Sequence, residues 1–556
     1  MLHLPDSQRF ALSVFALSLT CLTSALSATT VSNALPAIVG DLGASDTEAF
    51  WAGTSFLLCS TVFQPSFAIF SHIFGRRPLF VCAFLFYIVG SALAAGARNF
   101  DVLLAARSLQ GAGGGGLITL SEILIVDLAP LRERGKWLGL ISLMWAVGSV
   151  SGPLVGGALA HRGRWRWIFA LNLPPACLSL GVIYATVNHK SGPSELKQAI
   201  YRVDWIGFGL FIPSMTSLLV PISWGGETFP WSSWHTLVPL FLGVLGLIIF
   251  IAYEIWVASR PFLLRSIFRD RNAKVIYFQT FFHGIVVLAM FYYLPLYYQA
   301  VKGYSPVMSG VALLPVMCPM SISAGLVGVA MTISGRYRWA LWTGWAFTTT
   351  GVGLLYLLNA DCPIFRWVLI SLVCGIGMGS LFTSMNLAVQ ANTAENEQSY
   401  ALGFFTFFRT LGQTIGVAIG GSIFHNIFEK NLPADPGILA LTKGGRIDAE
   451  PLVEVEKALP ESDPRKAKII HAYVEALRMI WIVLCAFSAA SLLASLFTKA
   501  YSLGTGAGRS VSLDTEHGHL DPPDVENDKT DCVRDAESGE SGPQNVGLDS
   551  RKEDEP

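Results

Sequence analysis

Charge is scarce in this sequence: 14% of the 556 residues are Asp, Glu, Lys or Arg, against 52% hydrophobic. So little polar surface cannot clothe several soluble domains of the same total length, and the chain belongs in a membrane. The formal net charge of −1 gives no general attraction to nucleic acid, and the basic residues come in short clusters rather than along one face. Cysteine offers no framework either. Of the nine, Cys532 lies in a polar tail, Cys362 in a short loop and the rest in apolar stretches, so neither disulfide nor zinc spacing can be read. No G-x-x-x-x-G-K-[ST] run is present to cradle a nucleotide, which leaves ATP hydrolysis unsupported. Gly111 to Gly116 satisfy G-x-G-x-x-G, but within an apolar helix, with no strand before them and no ribose-binding acid in context. Neither cofactor nor metal is expected, nor is enzymatic activity.

Long apolar runs, by contrast, are plentiful. They fall at about 10–38, 50–72, 78–97, 101–128, 136–159, 167–188, 204–222, 236–256, 273–299, 307–331, 339–358, 364–390, 399–427 and 474–497, each near the length that crosses a hydrocarbon core. The first exceeds a signal-peptide core and reads as a membrane helix. With residues 1–9 inside, the short inner loops hold roughly 17 Lys and Arg, among them Arg76, Arg77, Arg132, Arg134, Lys136, Arg265, Arg269 and Arg271, and the outer ones roughly 6. An outer cluster of Arg162, Arg164 and Arg166 runs against that rule and calls for a specific contact. A polar loop spans 429–473, and the acidic stretch 500–556 is expected to be a disordered cytosolic tail.

An offset of 264 residues, without a gap, brings Gly111, Gly113, Gly115, Gly139, Gly148, Gly152, Gly156 and Gly157 onto Gly375, Gly377, Gly379, Gly403, Gly412, Gly416, Gly420 and Gly421. Leu117, Thr119, Glu133 and Leu138 also meet their own residue types. The offset maps helices 4 and 5 onto 12 and 13, so both copies run the same way through the membrane. The expected fold is all-α: a six-helix bundle over 10–188, a linker with two extra helices over 189–260, and a second six-helix bundle over 261–499.

GSVSGPLVGG, RSLQGAGGGG, IFSHIFGRRP and WRWIFALNLP together resemble motifs of the major facilitator superfamily, and within it of the fourteen-helix drug:proton antiporter branch with its fungal multidrug and toxin exporters. GSVSGPLVGG, with Gly148, Gly152, Pro153, Gly156 and Gly157, resembles the antiporter motif. Its glycines four apart allow close helix approach and its proline favours a bend. RSLQGAGGGG resembles the Arg-bearing motif of helix 4, and IFSHIFGRRP, with Gly75, Arg76 and Arg77, the cytosolic gating motif. WRWIFALNLP, DLAPLRERG, WGGETFPWSS and YYLPLYYQAVKGYSP resemble further signatures, so the likeness spans about 15–500. Two departures stand out. Ala68 and His72 replace the Gly and Asp of the gating motif, and Ser27 replaces the acid of the helix 1 motif, so coupling requires another acid.

Ionisable groups inside membrane spans are costly enough to be functional candidates. Glu122 leads them, sharing a helix face with Gly111 and Gly115. A buried carboxyl whose surroundings alternate can load and release protons; the alternative is a satisfied hydrogen bond to a neighbouring helix. Arg107 is its natural charge partner or field-setting group, although four turns separate the two. Asp127 is assigned to the gate with Arg132 and Arg134. His283 is either a proton carrier or a packing residue, and Arg409 either meets an anionic cargo or caps carbonyls. The helices that line the cavity in the resembled fold supply Asn33, Trp51, Phe56, Gln64, Phe281, Tyr292, Tyr293, Asn386, Phe404 and Phe408, which suit a tolerant aromatic pocket, though aromatics of membrane chains also face lipid or packing.

The resemblance implies proton:substrate antiport by a monomer, exporting amphipathic small molecules such as drugs or a fungal toxin across the plasma membrane. Import of basic amino acids into a vacuole is the runner-up. A membrane sensor signalling through the acidic tail is the reading from another class.

Overall fold

Lipid offers no partner to a backbone N–H or C=O, so each apolar run must coil into a helix. The computed structural model describes residues 5–43, 46–161, 163–187, 199–225, 229–259, 261–432, 457, 459–460 and 463–499. All of them belong to one unit within Met1–Val511. Most of the expected loop 429–473, the whole tail 500–556 and Arg162 lie outside the described residues.

The first half comprises α1 (Asp6–Leu42), α2 (Asp46–Phe74), α3 (Arg76–Ala95), α4 (Phe100–Leu128), α5 (Leu131–His161) and a two-piece α6 (Trp167–Ala170 and Leu173–Thr186). Two more helices follow, α7 (Trp205–Trp224) and α8 (Trp234–Trp256). The second half comprises α9 (Arg271–Ala300), a two-piece α10 (Pro306–Ala312 and Leu314–Ser334), α11 (Arg338–Leu354), α12 (Ile364–Ala391), α13 (Gln398–Asn431) and α14 (Pro464–Leu496). Thirteen of these spans are long and apolar enough to cross a membrane. The remaining one, α11, has 17 residues in α geometry and continues as the 3-10 turn Leu355–Leu357. The all-helical expectation therefore holds.

Local chemistry sets the helix starts. Asn99 accepts the Val102 N–H at the head of α4, Asp204 accepts the Gly207 N–H at α7, and Asp463 accepts the Arg465 N–H at α14, where Pro464 fills the first turn. Gly75 turns the chain from α2 into α3 at φ +90°, a conformation that an L side chain resists. Pro153 sits inside α5 without ending it.

The glycine repeat becomes a repeat of helix contacts. A Cβ at Gly111 or Gly115 would strike the Phe56 or Ser60 carbonyl of α2, and one at Gly113 would lie 2.5 Å from Tyr87 N of α3. In the second half a Cβ at Gly375 or Gly379 would strike the Val316 or Met320 carbonyl of α10, and one at Gly377 would lie 2.5 Å from Thr348 N of α11. Glycines 148, 152 and 156 likewise seat α5 on α1, and glycines 412, 416 and 420 seat α13 on α9. Gly157 is half-buried.

The halves meet along α5 with α10 and α2 with α13, and α4 reaches α13. The α7–α8 pair stands beside the α2–α13 seam, with Phe211 of α7 packed against Phe407 of α13.

Candidate functional site

A residue can touch its own repeat mate only where the axis relating the two halves passes close by. Among the described residues two such pairs are hydrogen-bonded, each separated by 264 positions. Asn386 Nδ2 lies 3.5 Å from Glu122 Oε2, and Arg134 Nη1 lies 2.8 Å from Gln398 Oε1. The axis thus runs through the inner ends of α4 and α12 and the starts of α5 and α13.

Glu122 sits on that axis, six residues before α4 ends and so ~9 Å from its end. Its side chain is 3% exposed. Among the described residues every donor it receives comes from the opposite half: Arg409 Nη2 at 3.1 Å, Thr406 Oγ1 at 2.8 Å and, longer, Asn386 Nδ2. Arg409 stacks over Phe382 at 4.5 Å and is 16% exposed. The carboxylate and the guanidinium neutralise each other across the seam, so the charge on Glu122 is also a bond between halves.

A polar seal closes the arginine-bearing end. Arg134 donates to the Ala129 and Val126 carbonyls of its own half at 2.8 Å each, and to Gln390 Oε1 at 2.6 Å and Gln398 Oε1 in the other. Asp127 accepts from Arg76 Nε at 2.7 Å and from Ser399 Oγ of α13 at 3.1 Å. Below them α5 and α10 cross on glycine, where a Cβ at Gly135 would lie 2.7 Å from the Cα of Gly328. Ala68, in place of the motif glycine, abuts Gly403, so the space has moved to the partner helix. Arg77 instead lies 3.7 Å over the Tyr184 ring of α6, a contact within its own half rather than across the seam. The Arg132 side chain lies outside the described ones.

Arg107 corrects another expectation. Its partners are the Ala52 and Ser27 carbonyls at 3.0 and 3.1 Å and Gln110 Oε1 at 2.6 Å, with the Phe56 ring 4.6 Å away. The charge partner of Glu122 is Arg409, because α4 separates its own two charges along its length while α13 crosses it at the right depth. Gln110 Nε2 joins Ser91 and Ser27, and Ser27 meets Tyr87 at 2.5 Å, so the serine that replaces the motif acid belongs to a hydrogen-bonded knot around Arg107. His283 directs Nε2 to the Met378 carbonyl at 3.1 Å beside Trp345, a packing position.

The cavity candidates separate into distinct groups in this conformation. Asn386 lies in the Glu122 network and Gln64 is buried. Phe56 packs under Arg107, while Phe404 and Phe408 pack against Phe268, 6.0 and 6.2 Å away. Tyr293 donates to the Val417 carbonyl at 3.0 Å, and Phe281 pairs with Phe282 in the second-half core. Trp51 meets Trp224 of α7 edge-on at 5.7 Å. Tyr292 is 50% exposed and meets Tyr293 edge-on at 5.1 Å. The Asn33 side chain lies outside the described ones. Towards the opposite end an open, mostly apolar groove lies between α13 and α14, lined by residues such as Ile423, Asn426 and Met479.

Of the outer arginines, Arg166 finds a specific contact. Arg166 Nη1 donates to Asp41 Oδ2 at 2.8 Å, and Trp165 Nε1 to the same oxygen at 3.1 Å. Thr406, Gln390, Gln398 and Ser399 were not singled out in the sequence. The repeat offset from Arg134 points to Gln398; for the other three no sequence signal is apparent.

The Major Facilitator Superfamily profile matches residues 17–417. The chain is 43% identical over 514 residues to "MFS transporter L2" of Phoma sp., covering 92% of this chain and 84% of that one. It is 36% identical over 500 residues to "Efflux pump FUS6" of Gibberella fujikuroi (89% and 90% covered) and 35% over 528 to "MFS-type efflux pump LUC4" of Fusarium sp. (94% and 92%). Among solved structures, the proton:xylose symporter XylE aligns with a TM-score of 0.55 at 14% identity over 90% of this chain and 98% of that one, a likeness of fold.

Proposed function

The chain belongs to the major facilitator superfamily, and on that premise we propose that it exports amphipathic small molecules, drugs or a fungal toxin or related metabolite, across the plasma membrane in exchange for protons. It is a multi-pass membrane transporter; the exchange for protons, the cargo and the membrane are the proposal. The relatives named efflux pumps support the direction. Both halves of the site come from one chain, which supports a monomer as the working unit.

The observation that carries the proton is the placement of Glu122, a buried carboxylate in one half whose donors among the described residues all lie in the other. A carboxylate stripped of three donors must bind a proton or a donor-bearing cargo to remain buried. Opening towards the arginine-bearing face pulls α4 from α13 and so presents Glu122 with that choice. Proton and cargo then compete for one group, which makes their fluxes opposed. One proton falling through about 100 mV supplies about 2.3 kcal/mol, and a tenfold gradient adds about 1.4 kcal/mol, together enough for a several-hundred-fold cargo gradient.

The test uses the full chain in sealed vesicles with a fluorescent amphipathic dye. Glu122→Gln should lose dye accumulation driven by a pH gradient while retaining dye-for-dye exchange. Unchanged gradient-driven accumulation would remove Glu122 from the coupling.

A further inference from the structure

The root of the two extra helices holds a pair of acids outside the Glu122 network. Asp204 caps α7 and Glu254 lies near the end of α8, 2% exposed. They converge over Gly207: a Cβ built there would lie 2.6 Å from both Asp204 Oδ2 and Glu254 Oε1. The donors around them can be counted. Asp204 Oδ1 accepts from the Gly207 N–H at 2.8 Å and the Tyr253 hydroxyl at 3.1 Å. Glu254 Oε1 accepts from the Phe262 N–H at 3.2 Å and Oε2 from the Leu263 N–H at 3.0 Å. Asp204 Oδ2, the oxygen facing Glu254, is buried and has no protein donor among the described residues. Two carboxylates this close cannot both stay ionised out of water. A proton between them supplies the missing donor.

The segment that Glu254 holds is tied in turn to α13. Leu264 N donates to the Tyr400 hydroxyl at 3.1 Å, and that hydroxyl donates to the Phe262 carbonyl. Tyr400 follows Ser399, which holds Asp127 in the seal between the halves. Among the described residues the other titratable or charged groups around the acids are the Tyr253 hydroxyl, the Tyr400 hydroxyl, on which Glu254 and Glu397 both act, and the Arg265 guanidinium. Arg265 is engaged with the Glu254 and Ile255 carbonyls.

We propose that Asp204 and Glu254 bind one proton between them, and that this proton latches the α8–α9 segment Phe262–Leu264 to the start of α13, making closure of the arginine-bearing face sensitive to the pH on that face. Loss of the proton to water leaves two adjoining carboxylates, and their repulsion turns Glu254 away from the Phe262 and Leu263 N–H groups. Tyr400 then loses the segment that fixes it, and the Ser399–Asp127 contact loosens. The latched form carries one more proton than the released form, so release becomes easier as pH rises.

Hydrogen exchange on the full chain in lipid nanodiscs tests this, with Glu122→Gln in every sample so that the central acid cannot titrate. Between about pH 6 and about pH 9, one proton released on opening makes the opening constant at Phe262–Leu264 climb roughly tenfold per pH unit beyond the intrinsic rise in exchange. Ser399–Tyr400 should follow. Adding Glu254→Gln, whose amide reaches Asp204 with no proton to lose, should flatten the profile. Asp204→Asn should do the same and serves if the first variant folds poorly. A flat profile without these substitutions, or the same slope with them, overturns the latch; neither result depends on whether Glu122 couples transport.

Discussion

The repeat-related helices α4 and α12 have one scaffold and two chemistries. Gly111, Gly113 and Gly115 of α4 meet the backbones of α2 and α3 as Gly375, Gly377 and Gly379 of α12 meet those of α10 and α11. Where α4 carries Arg107 and Glu122, however, α12 carries Ser371 and Asn386, and where α13 carries Arg409, α5 carries Trp145. The backbone contacts are doubled, while the buried Glu122–Arg409 pair has no charged counterpart at the repeat-related positions. Doubling gives two similar bodies that can rock about their axis. A single charge pair across that axis lets one protonation event act on both. A symmetric second pair would double the charge to be broken, at several kcal/mol per buried pair.

The charge side of that comparison can be broken most severely by Arg409→Met. It strips Glu122 of its cation and should cost about 3–5 kcal/mol of stability, read as a lower melting temperature in detergent; adding Glu122→Gln should recover most of it. Arg134→Gln, which copies Gln398 onto the other half, removes four charge-assisted contacts from the seal. It should weaken closure by about 1.5–3 kcal/mol and raise the labelling rate of groups placed between the halves at the arginine-bearing end.

The scaffold side is tested by Gly115→Val and Gly379→Val, whose side chains would meet the Ser60 and Met320 carbonyls. Each should cost about 1–3 kcal/mol or more, and the two losses should be similar. A tolerant second half would show that the repeat is not mechanically equivalent. The smallest effect belongs to Asp41 at the opposite end. Hydrogen bonds from Arg166, then Trp165, hold its carboxyl below the usual aspartate range. Its contribution is therefore present above the unfolded value and fades as pH falls through the folded one. Asp41→Asn should flatten the acid limb of the melting profile and leave coupling untouched.

The spans and the glycine scaffold were legible in the sequence because hydropathy and glycine spacing are local properties that lipid and close backbone approach enforce directly. Glu122 was legible as a buried acid for the same reason. Its partner was not: Arg409 lies 287 positions away, and the choice between it and Arg107 rests on which helices cross at that depth. The aromatics were least legible. Phe404, Phe408 and Tyr293 have the composition of a pocket and of a core alike, and only packing against Phe268 and Val417 distinguishes the two.

Moving the acid to the other copy tests the central claim most directly. In Glu122→Asn with Asn386→Glu, the carboxylate stays near the axis but shares a half with Arg409, so it no longer joins the bundles. Dye flux in sealed vesicles should then continue as exchange and show no response to a pH gradient. Gradient-driven accumulation at the original rate would contradict the account, because any acid near the axis would then suffice.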